Sequence, residues 1–108
     1  MLHYYGKDNE ASRYWAKKAY DNGSILGGGN LATMYRYGIG GETDLAKAIS
    51  INIDVAKKGS IVAVHNLGEM YLSGDGVQKD KDKAIKYLRL ACENGRVDSC
   101  SLLKIITS

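Results

Sequence analysis

Apolar residues recur along the chain at the spacing of one face of an α-helix, in segments that begin at Ser or Asp and end at Gly. Ser24 and Asp44 stand where helices begin, because their side chains can accept hydrogen bonds from the free amides of a first turn. Gly38 and Gly59 stand where helices end, since glycine adopts positive φ at no steric cost. The pattern therefore predicts one helix between Ser24 and Gly38, helix A, and a second between Asp44 and Gly59, helix B.

The same pair of helices occurs twice. Residues 24–59, aligned without a gap on residues 60–95, are identical at 13 of 36 positions, where unrelated chains would share about two. The shared residues in the first copy are Ser24, Ile25, Asn30, Leu31, Met34, Tyr35, Gly38, Gly40, Asp44, Lys47, Ala48, Ile49 and Gly59. The period predicts one domain over 1–108: a half repeat at 8–23, full repeats at 24–59 and 60–95, and a terminal helix at 96–108.

Residues 66–95 carry a recognisable motif. It reads Asn66-Leu67-Gly68-x-Met70-Tyr71-x-x-Gly74-x-Gly76-Val77-x-x-Asp80-x-x-Lys83-Ala84-x-x-Tyr87-x-x-x-Ala91-Cys92-x-x-Gly95. This motif resembles the Sel-one-like repeat, a relative of the tetratricopeptide repeat. The resemblance implies an all-α fold, a right-handed α/α solenoid of about six antiparallel helices.

The first full repeat departs from this motif. Ala32 replaces the usual Gly, Gly41 the usual Val, and Ile51 the usual aromatic residue. Three glycines, 27–29, fill what should be the first turn of helix A. Because glycine weakens a helix interior, we expect the first A helix to start late or fray there.

The resemblance also implies a function. Family members act as adaptors that bind another protein along the face lined by the A helices, without catalysis, and stacked helix pairs create such an extended concave surface. Gly29 would also face this groove. The partner-binding residues that the resemblance implies are Asn30, Thr33, Arg36, Tyr37, His65, Asn66, Glu69, Leu72, Asp98, Ser101 and Ile105. For Asn30 and Asn66, capping or packing within the repeat is the alternative.

Composition excludes several classes of protein. The 108 residues are 44% apolar and 25% charged, and no apolar stretch approaches the roughly 20 residues of a membrane span. Fifteen basic and twelve acidic residues give a net charge of +3, too little clustered charge to favour nucleic acid. The first residues lack a secretory signal, so we expect a cytoplasmic protein, or a periplasmic or secreted one if the chain is trimmed.

No motif predicts an enzyme, a cofactor, a metal site or a small-molecule substrate. The glycine-rich turns lack the Lys-Ser/Thr pair of a phosphate-binding loop. His65 and Glu69, four residues apart, would share a helix face, but the only other histidine is His3 and a structural zinc site needs four ligands. We therefore expect His65 and Glu69 to be solvated or to contact the partner.

Two interpretations of Cys92 and Cys100 stay open. The eight-residue spacing resembles the helix-linking disulfide of cysteine-rich secreted members of the family, and antiparallel neighbours could bring the two sulfurs together. Alternatively, Cys92 stands where the first full repeat has Ala56, a small buried position at which a reduced cysteine packs as a hydrophobe.

Two narrower roles follow. Compact size and the lack of catalytic groups suit an immunity or inhibitor protein that neutralises a toxin, and the cysteine pair suits a secreted or periplasmic scaffold of the bacterial envelope. We expect Tyr14 and Trp15 to pack on the following A helix. Leu102, Ile105 or Ile106 would form a contact surface at the end of the chain, for a target or for a homodimer through the C-terminal helix.

Overall fold

The computed structural model describes the backbone of residues 5–108 and the side chains from Asn9 onward, so the side chains of His3 and Asp8 lie outside the described residues. Over this range the chain forms six α-helices and no strand. The helices are α1 (Tyr5–Asp21), α2 (Ile25–Tyr37), α3 (Leu45–Lys57), α4 (Ile61–Ser73), α5 (Lys81–Glu93) and α6 (Val97–Thr107).

Each helix packs on the next one along the chain, which is the arrangement of an α/α solenoid. The A helices are α2, α4 and α6, and the B helices are α1, α3 and α5. The molecule measures 44 × 26 × 25 Å. None of the described helices combines the length and the apolar character that crossing a membrane requires.

The predicted helix ends are confirmed. Ser24 Oγ accepts a hydrogen bond of 2.8 Å from the amide of Gly27, and Asp44 Oδ1 accepts one of 3.0 Å from Lys47. Gly38 ends α2 in the left-handed conformation, with φ of 70°. The equivalent residues 36 positions on, Ser60, Asp80 and Gly74, do the same. The solenoid therefore begins and ends its helices at sites that the local sequence determines.

The expectation that α2 starts late at its three glycines is wrong. Helix α2 begins at Ile25, and Gly27, Gly28 and Gly29 are helical and buried. A Cβ on Gly27 would lie 2.6 Å from the Cβ of Ala19. A Cβ on Gly28 would overlap Val55. The glycines allow α2 to approach α1 and α3 closely, and this packing offsets their poor helix propensity.

Side-chain size is balanced between equivalent positions of the two repeats. In the second repeat, Gly68 lies under Leu88, whose Cγ would be 2.6 Å from a Cβ at position 68. The equivalent residues of the first repeat are Ala32 and Asn52, so a larger A-helix residue is matched with a smaller B-helix residue. Asn52 is fully buried. Both repeats therefore fill one interface with different combinations of side chains.

Helix α1 also stabilises the turn beyond α2. The Arg13 guanidinium donates hydrogen bonds of 2.9 Å to the carbonyls of Met34 and Ile39 and one of 3.1 Å to that of Glu42. These carbonyls belong to the end of α2 and the loop after it, where helix carbonyls lack intrahelical partners. Arg13 thus fixes the position of α2 relative to the half repeat before it.

Candidate partner-binding face

A buried arginine joins the first two A helices. The Arg36 side chain on α2 is only 8% exposed. It donates a 3.0 Å hydrogen bond to Glu69 Oε1 on α4 and bonds of 3.2 and 3.3 Å to Asp75 Oδ2 just after α4. The residue one full period beyond Arg36 is Leu72, so the two acceptors lie three residues before and three residues after it. One guanidinium therefore holds both ends of a helical turn of α4.

A histidine extends this network to the third A helix. His65 is buried on α4, where its Nε2 lies 3.3 Å from Glu69 Oε2 and 3.8 Å from Asp98 Oδ2. Its Nδ1 shares a 2.6 Å hydrogen bond with the buried Ser99 Oγ on α6. The chain of contacts Arg36–Glu69–His65–Ser99 runs across α2, α4 and α6. We call these four residues the A-helix network.

Glu69 lies at the centre of the network. Its hydrogen bond from His65 and its ion pair with Arg36 together outweigh partial burial and lower the pKa of its carboxyl from 4.5 to about 2. The carboxylate therefore stays ionised in the folded protein at pH values where it would be protonated in the unfolded chain. Folding is stabilised by this difference above the unfolded pKa, and the stabilisation is lost as the pH falls towards 2.

We expect Glu69→Gln to lower the free energy of unfolding by about 1.5 kcal/mol at pH 6 and by almost nothing at pH 2. The loss is smaller than the full pKa shift implies, because the Glu69 side chain is 35% exposed and solvent screens its charge. Urea unfolding of wild type and variant between pH 6 and pH 2 measures the difference. Glu93→Gln, at an exposed position of α5, is the matched control. A difference that stays constant across this pH range would contradict the prediction.

Apolar side chains stand exposed around the network. Leu26 and Tyr37 on α2, Val62 on α4 and Ile105 on α6 are all exposed to solvent. Between the three helices lies an open depression of about 250 Å³. Its lining consists of Arg36, Tyr37, Glu69, Leu72, Ser73 and Leu102. We call these four exposed residues and the lining of the depression the A-helix face.

The structure places the predicted site residues in three groups. Arg36 and His65 were expected to be solvated or to meet a partner, and this expectation is wrong, because both are buried and bonded within the A-helix network. Gly29 is buried, and its carbonyl accepts a hydrogen bond of 3.1 Å from the half-buried Thr33 hydroxyl. The accessible or partly accessible residues are Asn30, Tyr37, Asn66, Glu69, Leu72, Asp98, Ser101 and Ile105.

Sequence reasoning missed part of the face. Leu26 and Val62 are exposed at the same repeat position as Asp98, and Leu102 shares its position with Asn30 and Asn66. The signal that could have found them is the 36-residue period itself, applied to every residue already placed on the face. The complete set is more apolar than the predicted one.

The aromatic pair of α1 is also more exposed than expected. Tyr14 and Trp15 were predicted to pack on the following A helix, but both are mostly solvent-exposed. Their rings contact each other edge to face, with centroids 5.1 Å apart. Half of an open groove at this end of the molecule is formed by α1 and the other half by α2.

Cys92 and Cys100 form a disulfide in the structure, with Cα atoms 4.7 Å apart. The bridge joins α5 to α6. The equivalent positions of the earlier junctions are filled differently, by Tyr20 against Gly28 and by Ala56 near Val64. In the described part of the chain, no group of three His, Cys, Asp or Glu residues could hold a metal ion.

Stacked antiparallel helix pairs with an exposed face across the A helices define a tetratricopeptide-like solenoid. The chain belongs to the Sel1 repeat family, whose model matches residues 1–24, 30–50 and 61–95. Sel1 repeat proteins are protein-interaction scaffolds, and the fold is generally non-enzymatic. No curated protein matches this chain.

Solved structures agree with this assignment. The protective antigen c5321 of uropathogenic Escherichia coli strains, which displays an SLR fold, is 33% identical over 84% of this chain, with a TM-score of 0.80. A Sel1 repeat protein from Oxalobacter formigenes is 28% identical over 92% of the chain, with a TM-score of 0.84. This chain spans 20% and 40% of the length of those two proteins.

The cysteine-rich protein B of Helicobacter pylori is similar over almost its whole length. It is 24% identical over 94% of this chain and 91% of its own, with a TM-score of 0.75. At this level of identity the similarity shows the fold alone.

Proposed function

We propose that this chain binds a partner protein through the A-helix face, the concave face of the solenoid. The observation that carries the proposal is the exposure of large apolar side chains on all three A helices around one depression. Contiguous exposed apolar surface that a folded protein does not bury itself is typical of an interaction site. Membership of a family of interaction scaffolds supports the same conclusion.

The A-helix network supplies the mechanism. Arg36, Glu69, His65 and Ser99 hold α2, α4 and α6 side by side, so the face is formed before a partner arrives. A preformed face loses little conformational entropy on binding, and more of the contact energy appears as affinity. Binding is the whole activity in this proposal, and no chemical step takes place.

The charge of the face defines the partner more closely. Glu69, Asp75 and Asp98 keep partly exposed carboxylates here, whereas the nearby cation Arg36 is buried. A partner segment that presents apolar side chains to Tyr37, Leu72 and Leu102 and a lysine or arginine to these carboxylates would complement the surface.

Photo-crosslinking tests the binding face. A photoreactive amino acid replaces Tyr37 on the A-helix face in one variant and Leu90, exposed on helix α5, in another. We expect a discrete crosslinked partner from position 37 and none from position 90. The same partner should be lost when Leu72 and Leu102 are both changed to Ser. A partner that crosslinks from position 90, or that survives the double substitution unchanged, would contradict the proposal.

The disulfide favours one class of partner over another. Disulfides persist in oxidising compartments, so the Cys92–Cys100 bridge supports a secreted or periplasmic scaffold that binds an envelope component. The competing class is a toxin domain neutralised in the cytoplasm, for which thiols would be expected. Counting free thiols in unreduced, denatured protein from its native host separates the two: none favours the envelope and two per chain favour the cytoplasm.

A further inference from the structure

The two ends of the solenoid are complementary halves of a repeat. Helix α1 is a B helix, and no A helix precedes it in the described residues. Helix α6 is an A helix, and no B helix follows it there. Inside the solenoid, each A helix is covered by the B helix of its own repeat, as α4 is by α5. Each end thus presents one side of a contact that the interior makes twice.

The exposed side of α1 is the side that an A helix covers in the interior. Trp15 occupies the repeat position of Ile51 and is 63% exposed, whereas Ile51 is 7% exposed. Ser12 is exposed, whereas Ala48 and Ala84 at the same position are fully buried. A groove of about 520 Å³ follows this side of α1, lined in part by Ser12, Trp15, Leu26 and Met34.

The exposed side of α6 shows the matching loss of burial. Leu103 and Ile106 are half-exposed. Leu67 and Met70, one repeat earlier, are fully buried between the B helices on either side. The apolar surface left open on α6 is therefore the surface that a further B helix would cover.

The side chains of the two ends also match in size. Across an interior repeat, Gly68 on the A helix opposes Leu88 on the B helix, and the equivalent pair in the other repeat is Ala32 and Asn52. At the ends, the A-helix residue of this pair is Lys104 and the B-helix residue is Ala16. The large residue has moved to the A helix and the small one to the B helix.

A second position follows the same rule. Tyr71 of α4 stacks on Tyr87 of α5, with ring centroids 5.8 Å apart. The equivalent residues at the ends are Thr107 on α6 and Trp15 on α1. A small side chain on α6 again faces a large one on α1, so the two surfaces would interlock without overlap.

We propose that α6 of one copy packs on α1 of a second copy, completing a repeat between the two molecules. The contact is head-to-tail, so each copy keeps one free end and the assembly grows as an open chain. The surfaces concerned lie at the ends of the solenoid and include none of the residues that line the depression of the A-helix face. This inference therefore goes beyond partner binding.

Two blocked variants test the pairing. The α1-blocked variant carries Ser12→Arg and Trp15→Arg, and the α6-blocked variant carries Lys104→Glu and Thr107→Glu. All four positions are exposed in a single copy, so the substitutions place unpaired charges in the contact without disturbing the fold. Circular dichroism and thermal unfolding of dilute protein verify that each variant folds as the wild type does.

Sedimentation velocity over a range of concentrations gives the result. We expect wild-type protein to sediment faster as its concentration rises, beyond the size of a dimer, and each blocked variant alone to stay monomeric. An equimolar mixture of the two variants should form dimers and nothing larger, because it retains one intact α6 and one intact α1. A wild type that stays monomeric at every concentration, a blocked variant that associates like wild type, or a mixture that stays monomeric would overturn the proposal.

Discussion

Replacing Gly28 with alanine is expected to lower the free energy of unfolding by about 3 kcal/mol. The added methyl group would overlap Val55 Cγ1 on α3 and would come within 2.7 Å of the Tyr20 ring on α1. Both neighbours belong to helices that pack on α2 from opposite sides. The helix can therefore move away from one only by moving into the other. Urea unfolding of the two proteins measures the loss.

The next residue provides a matched control. Gly29 is also helical and buried, but a Cβ there would have no described atom within 4 Å. Gly29→Ala is expected to stabilise the protein by up to about 1 kcal/mol, because alanine is the better helix former. The double variant Gly28→Ala/Val55→Ala should lose less than the sum of its single substitutions, since each relieves the crowding caused by the other. Equal effects at positions 28 and 29 would contradict the packing argument.

Replacing Arg36 with methionine is expected to cost about 2.5 kcal/mol. Methionine keeps most of the apolar stem and removes the charge, so the loss reports on the carboxylates of Glu69 and Asp75. Both would be left close together without their cation. The loss stays below that of a fully buried ion pair because each carboxylate is about a third exposed.

Arg89→Met is the control for this substitution. Arg89 is exposed on α5 and forms no ion pair within the described part of the chain, so its replacement should change the stability by less than about 0.5 kcal/mol. Arg36→Lys should give an intermediate loss, because one ammonium group cannot match the geometry with which a guanidinium serves two carboxylates. A change at Arg36 as small as that at Arg89 would show that the A-helix network does not hold α2 against α4.

Arg36 also connects stability to function. Its substitution would release α2 from α4 on the same side of the molecule that carries the A-helix face. Partner crosslinking from position 37 should therefore weaken in Arg36→Met even under conditions where the protein remains folded.

The role of each residue on the face could not be predicted from the repeat pattern alone. Arg36 meets Glu69, 33 residues later, and Asp75, 39 residues later, while His65 meets Ser99, 34 residues later. None of these separations equals the period of 36. Neighbouring A helices interact across an offset of up to one helical turn, which repeat alignment does not contain. Residues predicted to meet a partner therefore include some that meet each other.

The sequence by itself determined the number of helices, the residues at which they begin and end, and the repeated architecture. Helix caps and turn glycines act within a few residues of where they stand, so a pattern such as Ser24 to Gly38 has the same outcome in each repeat. Only the tertiary structure decided that Gly27 and Gly28 are contact points rather than a helix break, that Arg36 and His65 are buried, and that Trp15 is exposed. These outcomes depend on how closely helices from different repeats approach one another, and that distance is determined by the packing of side chains far apart in the sequence.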